Sequence, residues 1–235
     1  MTGGAEPIAR WPREAYRARP RQLLSRGSRW KPAVWRVEAE DGPCVVFDCA
    51  GLAGPARLLA RWLLARERRA LERLEGVAAV PPLRAVIDRD AFAIGWLEGQ
   101  PLDRAAFQRD PQGLAGQLRA ILRDLHARRV YHLDLRQRQN LLVTAEGRLA
   151  CVDFGASVAA GPVTQLLLGR LLAWVDRQAG LKYLARYAPE QLTAAEARQV
   201  LRGLFWRRLW VFSPYRERGE GDGARRRLTE IDERR

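Results

Sequence analysis

The sequence predicts an α+β protein, with short strands gathered around one long helix in the first hundred residues and a mainly helical second half. Three observations predict it. Strand-like alternation appears at 33–37 and returns at 44–47, and further apolar runs stand at 85–87 and 91–97. Among them, Leu59, Leu63, Leu71 and Leu74 recur at helical spacing. Beyond residue 113 the helical spacing dominates, broken by one hairpin pattern between Tyr131 and Ser157.

At 235 residues the chain suits one domain or two small lobes, and 47% apolar content is enough for a core. Residues 1–20 read as a mobile lead-in rich in Pro and Arg. They hold no apolar stretch of the kind a signal peptide needs. No run reaches the roughly 18 apolar residues that span a bilayer. Cys44, Cys49 and Cys151 stand singly in strand-like runs, and their odd number suits a reducing compartment. The expected location is cytoplasmic, or peripheral to an inner membrane.

Taken in order, strands are expected from residue 22 to 48, with Glu40-Asp41-Gly42 as a turn. A helix follows over about 55–74, and Glu67 falls inside its apolar stripe. A carboxylate there needs a cation or donors, because an unpaired buried charge is costly. Val80-Pro81-Pro82 marks a turn, and the strand at 91–97 ends on Leu97-Glu98-Gly99. Residues 113–127 form an amphipathic helix with Leu114, Leu118, Ile121, Leu122 and Leu125 on one face. After Gly161-Pro162 a further apolar helix is expected at 166–175. Ala188-Pro189-Glu190 precedes a helix near 193–200, and 198–210 reads as a last core helix packed through Trp206 and Trp210. Residues 214–235 are charged and Gly-containing, a tail by composition.

The stretch from Tyr131 to Ser157 is where a chemistry becomes visible. It contains His132-Leu133-Asp134, then Asn140 before the apolar run 141–143, a turn at Ala145-Glu146-Gly147, and a second apolar run ending on Asp153-Phe154-Gly155. Folded as a hairpin, it brings Asp134, Asn140 and Asp153 to one end of a ribbon. Two carboxylates and an amide are oxygen donors suited to Mg²⁺ beside a phosphate chain. A remaining Asp can accept the proton of an attacking hydroxyl.

This order resembles the catalytic loop and metal-binding turn of the protein-kinase-like superfamily. It looks closest to compact bacterial kinases similar to the lipopolysaccharide (Kdo/heptose) kinases and the RIO kinases. The resemblance covers about residues 22–212. It implies a small antiparallel-sheet N-lobe with one long helix over 21–99, a mainly helical C-lobe over 100–213, and ATP and Mg²⁺ between them. Asp134 would be the base, His132 would brace the loop, and Asn140 and Asp153 would hold metal. Gly155 would let the backbone turn. Glu67 stands where such kinases carry the Glu that pairs with a strand lysine. The segment through Glu98 resembles the hinge that meets adenine.

Three departures accompany the resemblance. Asp134 and Asn140 are six residues apart where five is usual, which reads as one extra residue in the loop at 136–139. Only Gly27 stands in the expected phosphate loop at 25–28. Phe47 occupies the place of the strand lysine, and Lys31 and Lys182 are the only lysines in the chain. Arg36 or Lys31 supplying the charge, an inactive nucleotide-binding scaffold, and Mg²⁺ with other arginines carrying the electrostatics all remain open.

The acceptor implied is a lipopolysaccharide-core sugar or a protein Ser/Thr. A net charge of +14 favours anionic partners, an anionic glycolipid at an inner membrane among them. No nucleic-acid-binding motif accompanies the charge, which argues against nucleic acid as partner.

Overall fold

The computed structural model describes the backbone of residues 8–209 and the side chains of residues 8–202. The expected tail at 214–235 and the packing of Trp206 and Trp210 lie outside the described residues. The described chain is α+β, with a mixed six-stranded sheet and six α-helices.

Strands β2 (Arg21–Ser25), β3 (Ala33–Ala39) and β4 (Gly42–Asp48) form an antiparallel meander. Gly42 turns the second hairpin at a φ of 108°, a value that favours glycine. Strands β5 (Leu83–Asp88) and β6 (Ala91–Gly95) form another hairpin, and β6 pairs with β4. The edge strand β1 (Ala9–Arg10) joins β5 in parallel, so the sheet is mixed and not purely antiparallel as expected.

For residues 8–20, the described part of the expected mobile lead-in, the same element shows regular structure instead. Helix α1 (Arg13–Ala18) follows β1 and buries Tyr16 completely in a cluster with Val37, Cys44, Val46 and Ala85. Arg13 donates to Asp88 from Nε at 2.6 Å and to Asp48 from Nη1 at 2.9 Å. An Arg-rich stretch reads as solvated in sequence because its carboxylate partners lie on distant strands.

Period-two alternation gives the sheet two buried faces. Cys44, Val46, Ala91 and Ala93 face α1, whereas Val45, Phe47, Phe92 and Ile94 face the main core. Helix α2 (Gly54–Arg73) packs on this second side, burying Ala60, Leu64, Glu67, Ala70 and Leu71. Its inward face is rotated from the expected stripe, and Leu59 is left exposed. Asp90, between β5 and β6, fixes the start of the helix. It accepts from Arg57 Nη2 at 2.6 Å and also from Arg61 Nε.

The second half begins with β7 (Gln100–Pro101), α3 (Arg104–Arg109) and α4 (Pro111–Ala127). Asp103 and Asp110 cap these helices by accepting from the Ala106 and Gly113 amides, both at 2.8 Å. The expected face of α4, from Leu114 to Leu125, is buried. Next come β8 (Val130–Tyr131), a 3₁₀ turn (Arg138–Asn140), β9 (Leu141–Val143), β10 (Leu149–Cys151) and β11 (Val158–Ala159).

Helix α5 (Pro162–Tyr187) is far longer than the predicted 166–175. Gly180 lets it approach α4 closely, since a Cβ there would stand 2.9 Å from Leu122 Cδ1. A 3₁₀ turn (Pro189–Gln191) leads to α6 (Ala194–Leu209). One apolar cluster runs from Leu71 and Phe92 through Phe154 to Leu118 and Leu184, joining sheet, hairpin and helices. All three cysteines are free and buried. Among the described residues no helix is long and apolar enough to cross a membrane.

The Asp90 network ties α2 to the sheet through a carboxylate that is only 5% exposed. Asp90→Ala is expected to cost about 1–3 kcal/mol in denaturant unfolding, because it removes the buried acceptor that joins α2 to the sheet while both guanidiniums can still reach water. A loss within 0.5 kcal/mol would show that the joint contributes little.

Candidate functional site

The hairpin of β9 and β10 pairs in register, with Leu149 opposite Val143 and Cys151 opposite Leu141. Asn140 immediately precedes the first strand, and Asp153 lies just beyond the second. The Val152 amide donates to the Asn140 carbonyl at 2.9 Å, which holds the two ends together. The Asn140 side chain, 1% exposed, donates through Nδ2 to the Asp134 carbonyl at 2.9 Å and to Asp134 Oδ2 at 3.3 Å. The structure therefore brings Asp134, Asn140 and the Asp153 turn into one neighbourhood.

The six-residue step from Asp134 to Asn140 is folded into a tight local loop. The Gln137 amide donates to the Asp134 carbonyl, and the 3₁₀ turn over Arg138–Asn140 takes up the slack. Gln137 Nε2 also donates to Asp134 Oδ2. Asn140 thus stands beside Asp134 across this loop.

His132 is fully buried and packs against Phe154 with ring centroids 4.8 Å apart and the rings tilted by 57°. Its Nε2 lies 3.0 Å from the Val152 carbonyl, and the Asp134 amide lies 3.3 Å from Nδ1. A neutral ring protonated at Nε2 satisfies both contacts, since a carbonyl only accepts and an amide only donates. Burial pushes the imidazole below its ordinary range, against upward pulls from the Val152 carbonyl and nearby carboxylates. The ring is a brace between the loop and the Asp153 turn.

The loop owes its shape to a residue that sequence reasoning missed. Asp176, in the middle of α5, is fully buried. Its Oδ2 accepts from the His132 amide at 2.9 Å and its Oδ1 from the Leu133 amide at 2.7 Å. His126 Nε2 stands 3.1 Å from Oδ2. Leu133 adopts a φ of 64°, in the left-handed region that a branched side chain disfavours. That conformation turns two successive amides toward one carboxylate. One sequence signal existed: Asp176 is the only acidic residue between Asp153 and Glu190.

Asp153 is exposed and also left-handed, at φ 63° and ψ 75°, and its side chain accepts from the Gly155 amide at 3.3 Å. Glu67 approaches this turn from α2. Its Oε2 would lie 3.8 Å from a Cβ built on Gly155, and the Phe154 amide serves as a donor to it. Burial pushes the Glu67 carboxyl up to about 8, and the Asp153 charge adds to the rise. Arg66 and the Phe154 amide oppose it.

Arg66 was also missed. Its Nη2 donates to the Gly155 carbonyl at 2.8 Å, and its guanidinium lies 5.1 Å from the Trp62 ring.

The remaining expected residues stand apart from this cluster. Arg36 shares the core-facing side of β3 with Val34, since it pairs in register with Val45. Its guanidinium lies 5.1 Å from the Trp96 ring. Lys31 is exposed in the β2–β3 connection, bridged by backbone to Ser28. Glu98 is exposed in the segment between β6 and β7, outside any strand ladder. Phe47 packs on Phe92 with centroids 5.4 Å apart. Gly27 turns the β2–β3 connection at φ 71°, where a Cβ would strike the Pro32 carbonyl at 2.3 Å.

Among the described residues, no three His, Cys, Asp or Glu side chains form a self-contained metal cluster. No protein-family model matches the sequence, and no curated protein matches it.

Two outcomes follow from this geometry. Glu67 has an ordinary value near 4.5 and a folded value near 8, so the fold favours its protonated form. The stability this brings is complete below pH 4.5 and is lost as pH rises through 8. Glu67→Gln should therefore gain on the unmodified chain between pH 5 and pH 9, by on the order of 2–4 kcal/mol in denaturant unfolding. A difference independent of pH would contradict the burial of an acid at this site. Asp176→Asn replaces one acceptor oxygen by a donor facing an amide, and should cost about 2–4 kcal/mol by the same measurement.

Proposed function

We propose that this chain is a phosphotransferase of two-lobed, protein-kinase-like architecture that moves the γ-phosphoryl group of Mg-ATP to a hydroxyl acceptor. In this reading the six-stranded sheet with α2 is the N-lobe and the helices from α3 onward are the C-lobe. The segment through Glu98 is the hinge between them.

The observation that carries the reading is the meeting of Asp134, Asn140 and Asp153 at one end of a hairpin, braced by His132. The donor set fits the cation. Two carboxylates and an amide oxygen are hard ligands, too few for a full cage, as suits Mg²⁺ completed by phosphate and water.

Asp153 and the Oδ1 of Asn140 would hold the metal, because Nδ2 of Asn140 is committed to Asp134. Bound Mg-ATP would supply an electrophilic phosphoryl group with its charge offset by the cation. Asp134, half-buried and held by Asn140 and Gln137, would orient the acceptor hydroxyl and take its proton. His132 keeps the loop in place, and Asp176 fixes the backbone beneath it. The acceptor is a lipopolysaccharide-core sugar or a protein Ser/Thr. The working location is the cytoplasm or the inner membrane's cytoplasmic surface.

A second reading, a nucleotide-binding scaffold, is favoured by one observation. Phe47 fills the expected lysine position with an aromatic pair, and neither Arg36 nor Lys31 is joined to Glu67.

The experiment is ATP turnover with and without Mg²⁺, beside nucleotide binding. The enzyme reading expects Mg²⁺-dependent turnover that Asp134→Ala lowers by about 10²–10⁴-fold, with nucleotide affinity changed by less than about threefold. Binding without turnover supports the scaffold, and no nucleotide binding overturns both.

A further inference from the structure

The N-terminal half of helix α5 is inside out for a soluble helix. There Gly169 and Ala173 are buried while Leu166, Leu167, Leu168 and Leu171 are exposed, whereas Leu181 and Leu184 near its end join the core. Val163, Leu166, Leu167, Leu171 and Trp174 share the outward face at three- and four-residue steps. Leu166 is 84% exposed and Leu167 72%. Arg170 and Arg177 lie in the same stripe, seven residues apart and both exposed. Neither pairs with a carboxylate among the described residues. The stripe has no acidic member, because Asp176 is buried beneath the catalytic loop candidate. A groove of about 760 Å³ opens beside it, lined by Tyr131, Gln165, Arg170, Trp174 and Arg177 among others.

We infer that this face of α5 lies flat on an anionic phospholipid surface. The pattern of leucines and a tryptophan interleaved with arginines is that of an interfacial helix, with apolar side chains entering the acyl boundary and guanidiniums reaching lipid phosphates. Charge selects this occupant. A second copy of the chain docked stripe to stripe would bring Arg170 and Arg177 against their own equivalents with no carboxylate to meet them. An anionic headgroup layer pairs with both arginines, and the net charge of +14 draws the whole chain toward it.

The inference stands without the phosphotransferase reading and deepens it. Asp176 sits on the inner face of the same helix and grips the backbone of His132 and Leu133. A docked α5 would therefore fix the loop that carries Asp134 relative to the headgroup layer.

The test is co-sedimentation of the full chain with vesicles of equal parts phosphatidylglycerol and phosphatidylcholine, and with phosphatidylcholine alone, at about 0.15 M salt. Leu166→Ser/Leu167→Ser leaves the charge unchanged. The inference expects binding to the anionic vesicles that this variant weakens by about tenfold or more. Arg170→Gln/Arg177→Gln should weaken binding to the anionic vesicles only. Both pairs are exposed, so thermal unfolding should stay within a few degrees of the unmodified chain. Equal vesicle binding by Leu166→Ser/Leu167→Ser would mean general charge adhesion and overturn the inference. So would a failure to bind vesicles, or light scattering that shows a dimer which the leucine variant dissociates. None of these outcomes depends on ATP turnover, so the two readings fail separately.

Discussion

A single buried carboxylate sets the geometry on which the candidate site depends. Asp176 accepts the amides of His132 and Leu133, and in doing so holds Leu133 in a left-handed conformation. That conformation costs about 1–2 kcal/mol for a residue with a side chain. Hydrogen bonds to a charged acceptor are stronger than neutral ones and offset the cost. With the loop so fixed, His132 reaches the Val152 carbonyl with one nitrogen and receives the Asp134 amide with the other. Asn140 then donates to Asp134, and the hairpin sets the Asp153 turn at the same end. Remove the carboxylate, and the constraint that aligns these groups is gone.

The other half of the site is defined by a buried acid with no cation paired to its carboxyl among the described residues. Glu67 reaches the Asp153 turn from α2 and meets the Phe154 amide. With Phe47 packed on Phe92, the sheet offers it no cation from that position. Burial and Asp153 both push it toward the neutral acid. Arg66, one residue earlier, is instead spent on the Gly155 carbonyl. The position of α2 matters to this balance, and it is set by Arg57 and Arg61 on Asp90. The site therefore couples the sheet and the helices through paired charges at one end of α2 and an acid at its middle.

The parts of this arrangement that sequence revealed are those made within a short span. Asp134, Asn140 and Asp153 belong to one hairpin, so spacing alone places them together. The burial of Glu67 was legible from its neighbours at helical intervals. Asp176 was not, because its partners are 43 and 44 residues away and a lone acid in an apolar helix carries no motif. Helix α1 was hidden by its arginines, whose partner Asp88 lies 75 residues on. The face of α2 was misread because Leu58, Leu59 and Trp62 are exposed. The C-terminal extent of α5 escaped because Gly180 looks like a break, although it is a packing position against Leu122 of α4.

The proposed phosphotransferase activity requires Asp153 and Asn140 to act as cation ligands beside a nucleotide. Calorimetric titration of ATP into the protein, with and without Mg²⁺ and in the Asp153→Asn variant, addresses this most directly. Mg²⁺ is expected to tighten ATP binding by about tenfold or more, and the variant to lose this dependence while still binding adenosine. Equal ATP affinity with and without Mg²⁺, or an Mg²⁺ effect unchanged in the variant, would contradict that proposal.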